Sequence, residues 1–317
     1  MKPKLSDSIA ALFIILASGL VAGYFPQVLP PVQMLENWLS DFRFGTLSQP
    51  MAQDDRIVIA TITEETLATM SYRSPVDRGF LAQLLQTLDS YEVRAVGFDI
   101  LFDQQTEPVK DKELRRTILG FPAPVIVAQA DKVDNLTTRQ LSFQKQYTRD
   151  MNHGLAILPV SSDGVVRQIS AGRIDGASSQ LRPALAGAIV RALGISPPAR
   201  NLPLAYRPPP NPETTAIRKV PAQHVSKLPK EWFSGKIVLI GADLPMIDRH
   251  RTPFAAAHGN EAGTIPGVVI HAHALAQLLD GRTVKELGLF GTSTVIIILA
   301  VLGLLIATPD ISLLTRG

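Results

Sequence analysis

Cysteine is absent from all 317 residues, which excludes disulfides, thiolate metal sites and a cysteine nucleophile. Such a chain fits an exported bacterial domain that manages without disulfides. Aromatic residues make up only 6% of it and the formal net charge is only +3. No block of lysines and arginines is present, so the electrostatic footprint of a nucleic-acid binder is missing. The usual catalytic signatures are missing too: no G-x-S-x-G elbow, no H-E-x-x-H, no Walker-type phosphate loop and no G-x-G-x-x-G. Gly241-Ala242-Asp243 follows an expected strand but lacks the glycines that cradle a phosphate. There are no repeats or low-complexity tracts, and nothing calls for a cofactor or a resident metal.

What the chain does have is two apolar runs without a charge, residues 9–25 (IAALFIILASGLVAGYF) and residues 287–308 (LGLFGTSTVIIILAVLGLLIAT). The second is long enough to cross a hydrocarbon core of ~30 Å as a helix. The first is shorter and follows Lys2 and Lys4. Ala17 and Gly19 offer a loose signal-peptidase site, but Tyr24 and Phe25 at the interface suit an uncleaved anchor, which is the reading preferred here. By the positive-inside rule the lysines hold residues 1–8 in the cytoplasm and place the centre of the chain outside. The rule is weak at the other end, where Arg282 and Lys285 flank the outer side and only Arg316 lies beyond. The expected order is a transmembrane helix (9–25), a juxtamembrane linker and helix (26–55), an extracytoplasmic domain (56–284), a second transmembrane helix (287–308) and a short cytoplasmic tail (309–317).

Within the domain, periodicity predicts alternating strands and helices. Residues 31–44 place Leu35, Trp38, Leu39 and Phe42 on one side of an amphipathic helix. IVIATI at residues 57–62 reads as a buried strand, and Ser74-Pro75-Val76-Asp77 as a helix start with Ser74 as its cap. A helix with Phe80, Leu81, Leu84, Leu85 and Leu88 on one face follows, then strands at 95–102 and 124–130 around a helix at 110–119. Residues 131–151 are polar enough for a surface excursion. Residues 155–160 and 165–174 flank Ser-Ser-Asp163-Gly164 as arms of a hairpin. A helix is expected at 181–193, an irregular proline-rich loop at 197–221, a strand at 235–242 and a helix at 267–279. The fold class that results is α/β, a mostly parallel sheet with flanking helices plus a β-hairpin, bracketed by two transmembrane helices.

Ligands of open α/β sheets lie beyond the carboxyl ends of the strands. Those ends carry Glu64 after the first strand, Asp99 and Asp103 in and after the second, and Asp243 after the last. Asp248, Arg249 and Thr252 follow in the loop. Asp99 interrupts the apolar run AVGFDILF, where a carboxylate costs several kcal/mol unless it is paired. The alternative is that these acids are helix caps and loop braces. His271 and His273 are expected on one helix, about 200° apart, so they cannot chelate together.

Seven segments resemble, in order, the CHASE2 domain family: IVIATITEETLA from Ile57, RSPVDRGFLAQLLQTL from Arg73, AVGFDILF from Ala95, SSDGVVRQI from Ser161, FSGKIVLIGA from Phe233, DRHRTPF from Asp248 and GVVIHAHALAQLLDGR from Gly267. The resemblance implies an extracytoplasmic sensory module in the bacterial cytoplasmic (inner) membrane, taking an undefined small-molecule or envelope ligand. It implies no catalysis by this chain, a homodimer, and a cytoplasmic adenylate cyclase, histidine kinase or serine/threonine kinase output in cis or in trans. It also adds Arg78 to the candidate residues, beside Asp77, Asp99, Phe102, Asp163, Gly164, Gly241, Asp248, Thr252, Pro253, Phe254 and His271. Where the family often has paired aspartates after its first strand, this chain has Thr63-Glu64-Glu65. The family usually continues into further membrane helices and an output domain, which this sequence does not contain. The residues alone leave open an exported hydrolase or metal-dependent enzyme built on Asp99, Asp248 and His271, and a scaffold that binds a partner through the proline-rich loop.

Overall fold

Strand alternation sorts this core into two layers. The computed structural model describes residues 29–131, 136–176, 179–284 and 288–307, with scattered positions between 13 and 24. It divides into two compact units, residues 42–284 and residues 1–41 with 285–317. In chain order the strands are β1 (Asp54–Ile62), β2 (Ala95–Asp99), β3 (Val125–Gln129), β4 (Asn152–Leu155), β5 (Gln168–Ile169), β6 (Gly172–Ile174), β7 (Leu181–Pro183), β8 (Leu202–Pro203), β9 (Ile217–Pro221), β10 (Ile237–Ala242), β11 (Arg249–Arg251) and β12 (Thr264–Pro266). The helices are α1 (Pro30–Leu47), α2 (Glu64–Ala68), α3 (Arg78–Ser90), α4 (Pro108–Leu119), α5 (Thr138–Tyr147), α6 (Leu185–Ala192), α7 (Ala255–Gly263), α8 (Gly267–Asp280) and α9 (Gly288–Ala307).

Six strands of the 42–284 unit form one parallel sheet in the order β4-β3-β2-β10-β1-β9. Successive side chains of a strand point to opposite faces. Accordingly Val58, Ala60 and Ile62 pack with Leu81, Leu85, Leu88 and Leu114 from α3 and α4. Ile57 and Ile59 pack on the other face with Ile189 of α6 and with Val268, Ile270 and Leu275 of α8. Each such side chain removed from water stabilises the fold by about 1.5–3 kcal/mol. Gly97 in β2 answers to this packing: a Cβ there would lie 2.7 Å from Ile189 Cδ1 and from Leu239 Cδ2. α6 therefore sits directly on the strand.

Several expectations are corrected. α3 is capped by Asp77, whose carboxylate accepts from the Phe80 N–H, and not by Ser74. The supposed excursion at 131–151 holds α5, started by a capping box in which Thr137 and Gln140 satisfy each other's backbone N–H groups. Residues 132–135 lie outside the described residues. The turn at 161–164 forms, with the Ser161 N–H donating to the Val165 carbonyl. Its arms are not a ladder beyond the Val160–Val166 bridge. Leu155 belongs to β4 of the main sheet, while β5 pairs with β8 and β6 with β7. The proline-rich loop ends in β9, the edge strand beside β1; an edge tolerates Pro221 because one side of it needs no ladder donor.

In the other unit, residues 9–25 fall largely outside the described residues, as do residues 1–8 and 309–317. The run at 287–308 is helical from Gly288 to Ala307 as α9. Among the described residues, however, no helix is long and apolar enough to cross a membrane, so neither expected span is observed as one.

Candidate functional site

The register of the sheet gathers the loops that follow β1, β10 and β2. Thr61 stands opposite Gly241, and Gly241 opposite Asp99. Gly241 has no side chain to fill the space where the Asp99 Cβ would lie 3.1 Å from its own. After β10 the chain turns back through a Leu244–Ile247 bridge and reaches Asp248 in the left-handed region, at φ 51°. It then forms β11, antiparallel to β12, from which α8 starts. The Gly267 N–H donates to the Asp248 carbonyl at 2.9 Å. A Cβ on Gly267 would lie 2.9 Å from the Asp248 Cγ, so glycine lets that carboxyl group rest against the start of α8.

Four side chains converge here. His271, one turn into α8, places Nε2 3.8 Å from Asp99 Oδ1, and His250 places Nε2 2.9 Å from Asp248 Oδ1. The Asp99 side chain is 9% exposed and its Oδ2 has no hydrogen-bond partner. A buried oxygen in that state carries a desolvation penalty of about 1–3 kcal/mol. Burial pushes the Asp99 carboxyl up; His271 opposes this, Asp248 adds to it and His250 opposes it. Asp99 is therefore not the hydrogen-bonded brace that a structural acid would be.

Above these groups lies an open cleft of about 910 Å³, lined by Asp243, Asp248, Arg249, His250, Thr264 and the apolar tip Pro245-Met246. Met246 is 92% exposed. Asp243 is held by Lys219 at 3.1 Å and by Arg249 at 3.2 Å, and Arg249 also donates to the Thr264 carbonyl at 3.0 Å. Thr252 is buried, and its hydroxyl donates to the Gly263 carbonyl, which braces the loop from behind.

Of the residues singled out in the sequence, Asp243, Asp248 and Arg249 line the cleft, Asp99 and His271 pair with each other outside its lining, and Thr252 braces the loop. Glu64 does not line the cleft; it pairs with Arg73 at the surface. Asp103 accepts from the Gln140 amide at 2.6 Å and ties α5 to the loop after β2. Arg78 is structural as well. Its guanidinium lies 4.6 Å from the Phe102 ring centroid and 4.9 Å from that of Tyr147, donates to the Gln104 carbonyl at 2.9 Å, and has Asp111 at 3.8 Å. We expect Arg78→Ala to cost about 3 kcal/mol or more in urea unfolding, because it leaves Asp111 buried without its cation. Arg78→Lys should not restore this, since an ammonium cannot stack on both rings and reach Gln104. Of the titratable residues at the site, His250 and Lys219 were not singled out in the sequence, nor were the uncharged Pro245, Met246 and Thr264. The signal for His250 was its place in the segment DRHRTPF, two residues after Asp248. Lys219 carried none, because β9 itself was hidden among prolines.

His271 and His273 serve different neighbours: His273 accepts the Arg207 N–H at Nδ1, 3.2 Å away, and packs edge-on against Tyr206. Among the described residues no group of three or more histidines and carboxylates is placed to hold a metal ion.

The family model of the CHASE2 domain matches residues 10–307. Domains of this family are extracytoplasmic, non-catalytic input modules of signalling receptors. No curated protein and no solved structure shows significant similarity to the chain. Asp99 and His271 come together, and Asp248 is near enough to act on the Asp99 charge; the non-catalytic character of the family weighs against a hydrolase.

Proposed function

Because the chain belongs to the CHASE2 family, we propose that it is a membrane-anchored receptor input whose sensing site is the cleft above Asp99. The observation that carries the reading is the buried Asp99 Oδ2 with no partner, on a carboxyl whose charge interacts with Asp248 and His250 of the open cleft. A protein that gains nothing structurally from such a group keeps it for something that arrives. The anchors are residues 9–25 and 287–308, and the family match takes in nearly all of both. Within their common unit a Cβ on Gly19 would collide with the Ile297 side chain, the kind of close approach that small residues allow between membrane helices.

The route from site to anchor is short in sequence. α8 begins at the cleft with Gly267 and His271, ends at Gly281 in the left-handed conformation, and is followed at Gly288 by α9. A ligand that prefers one position of the loop at 243–251 shifts α8 with it; only such a difference in affinity transmits anything. In a homodimer the movement reorients the anchors, and a cyclase or kinase in the cytoplasm, in cis or in trans, reads the change.

A thermal-shift screen of the full chain in detergent, with small organic solutes and cell-wall fragments, tests this. The expected result is a ligand that raises the melting temperature of the wild type and not of Asp99→Asn. Stabilisation unaffected by Asp99→Asn for every ligand moves the site elsewhere and overturns the proposal.

A further inference from the structure

Resting on the reading of the cleft as the sensing site, the geometry points to a ligand class: a small molecule bearing a primary ammonium group on a short apolar body, bound between Asp99 and Asp248. The charges of the cleft are the first reason. Asp99 Oδ2 lacks any hydrogen-bond partner, the Asp99 side chain is 91% buried with His271 at 3.8 Å, and its charge interacts with Asp248 and His250, which line the cleft. The cation that lines the cleft, Arg249, is already engaged by Asp243, as is Lys219 beside it. Asp248 lines the space with His250 as its only printed partner, and behind it Asp99 keeps one carboxylate oxygen without a donor. An anion is repelled there, whereas an ammonium group brings three donors and the missing positive charge.

The donor set decides against the other obvious cation. A divalent metal needs several ligands already disposed around one point, and among the described residues no such group exists. An ammonium group needs only two or three acceptors at hydrogen-bond distance. The rim supplies the second half of the description: Pro245 and Met246 line the mouth, and Ile247 behind them is 58% exposed. Apolar side chains held in solvent over an acidic floor suit a ligand with a hydrocarbon portion next to its charge.

Calorimetric titration of the full chain in detergent tests the class, with n-butylammonium chloride and alanine methyl ester as probes. N-butylacetamide serves as the uncharged control, and magnesium, calcium and zinc chlorides and sodium acetate as competing classes. The amines are expected to bind and N-butylacetamide not to. Asp99→Asn and Asp248→Asn are each expected to weaken binding roughly tenfold or more, the loss of one charge-assisted hydrogen bond. Asp248→Asn is needed because it sits at the surface and reports on the site without touching the core; the unliganded melting transition of both variants verifies their fold. Amine binding that survives both substitutions overturns the assignment. A metal ion or acetate that binds in an Asp99-dependent way, with no amine binding, overturns the ammonium class while leaving the sensing site in place. No Asp99-dependent binding by any probe overturns both.

Discussion

Asp99→Asn should raise the melting temperature of the chain at pH 7. The wild-type carboxyl is held above its ordinary value of 3.8 chiefly by burial, so folding disfavours its charged form. A group whose folded value is raised makes the unfolded state the better acid, and stability falls as pH rises from about 3.8 through the folded value. Asparagine keeps the shape and carries no charge. The expected gain is about 1–3 kcal/mol, the cost of a buried unsatisfied group. In a domain of this size that is roughly 2–4 °C per kcal/mol. The difference between variant and wild type should grow with pH and vanish below about pH 4, where both side chains are neutral. A variant that melts lower than wild type at pH 7 would mean that the carboxylate is a structural partner, and the case for a vacant acceptor would fail.

Acid should destabilise the domain through His273. Its imidazole is buried and pushed down to about 4, by burial first and by Arg207 and Arg282 next, with Asp54 opposing. A histidine with a depressed folded value contributes stability that is complete above the unfolded value of 6.5 and is lost as pH falls toward 4. At ~1.4 kcal/mol per pH unit the loss between those values is about 3 kcal/mol. The structural consequence is local, because His273 accepts the Arg207 N–H within the proline-rich loop. Arg207 is also tied to Asp54 and Asp280, both at 3.4 Å. His273→Asn keeps an acceptor for that N–H without a titrating group, so its stability should be nearly flat from pH 6.5 to 4. An equal slope in variant and wild type would remove His273 as the cause. The same anchoring counts against a scaffold that presents this loop to a partner, since Tyr206 beside it is buried and Arg207 is fixed.

The buried strands were legible because continuous β-branched runs leave little alternative: IVIATI, AVGFD and IVLIGA all became neighbours in one sheet. The edge was not. β9 lies among prolines, and β4 is four residues long with His153 and Gly154 in it, so neither has the pattern of a buried strand. α5 is polar on most sides, and only its capping box gives it away. The order of the sheet was also hidden: β10 inserts between β1 and β2 from far along the chain, and that insertion brings the 243–251 loop over Asp99. Asp99 could be found as an acid in an apolar run. Glu64, Asp103 and Arg78 could not be separated from it by the same argument, because a strand end does not say which neighbours its loop will meet. Tyr147, which flanks Arg78, comes from α5, a helix that was not expected.

The proposed function requires a domain that stands outside the membrane, anchored by the apolar runs at residues 9–25 and 287–308. Single-cysteine labelling tests this most directly, since the chain has no cysteine of its own. Met246, at the exposed tip of the cleft loop, is replaced by cysteine (Met246→Cys) and treated in intact cells with a maleimide that cannot cross the inner membrane. The account predicts labelling without lysis, on a protein that stays in the membrane pellet through an alkaline carbonate wash. Labelling only after lysis, or release of the protein by the wash, would contradict it.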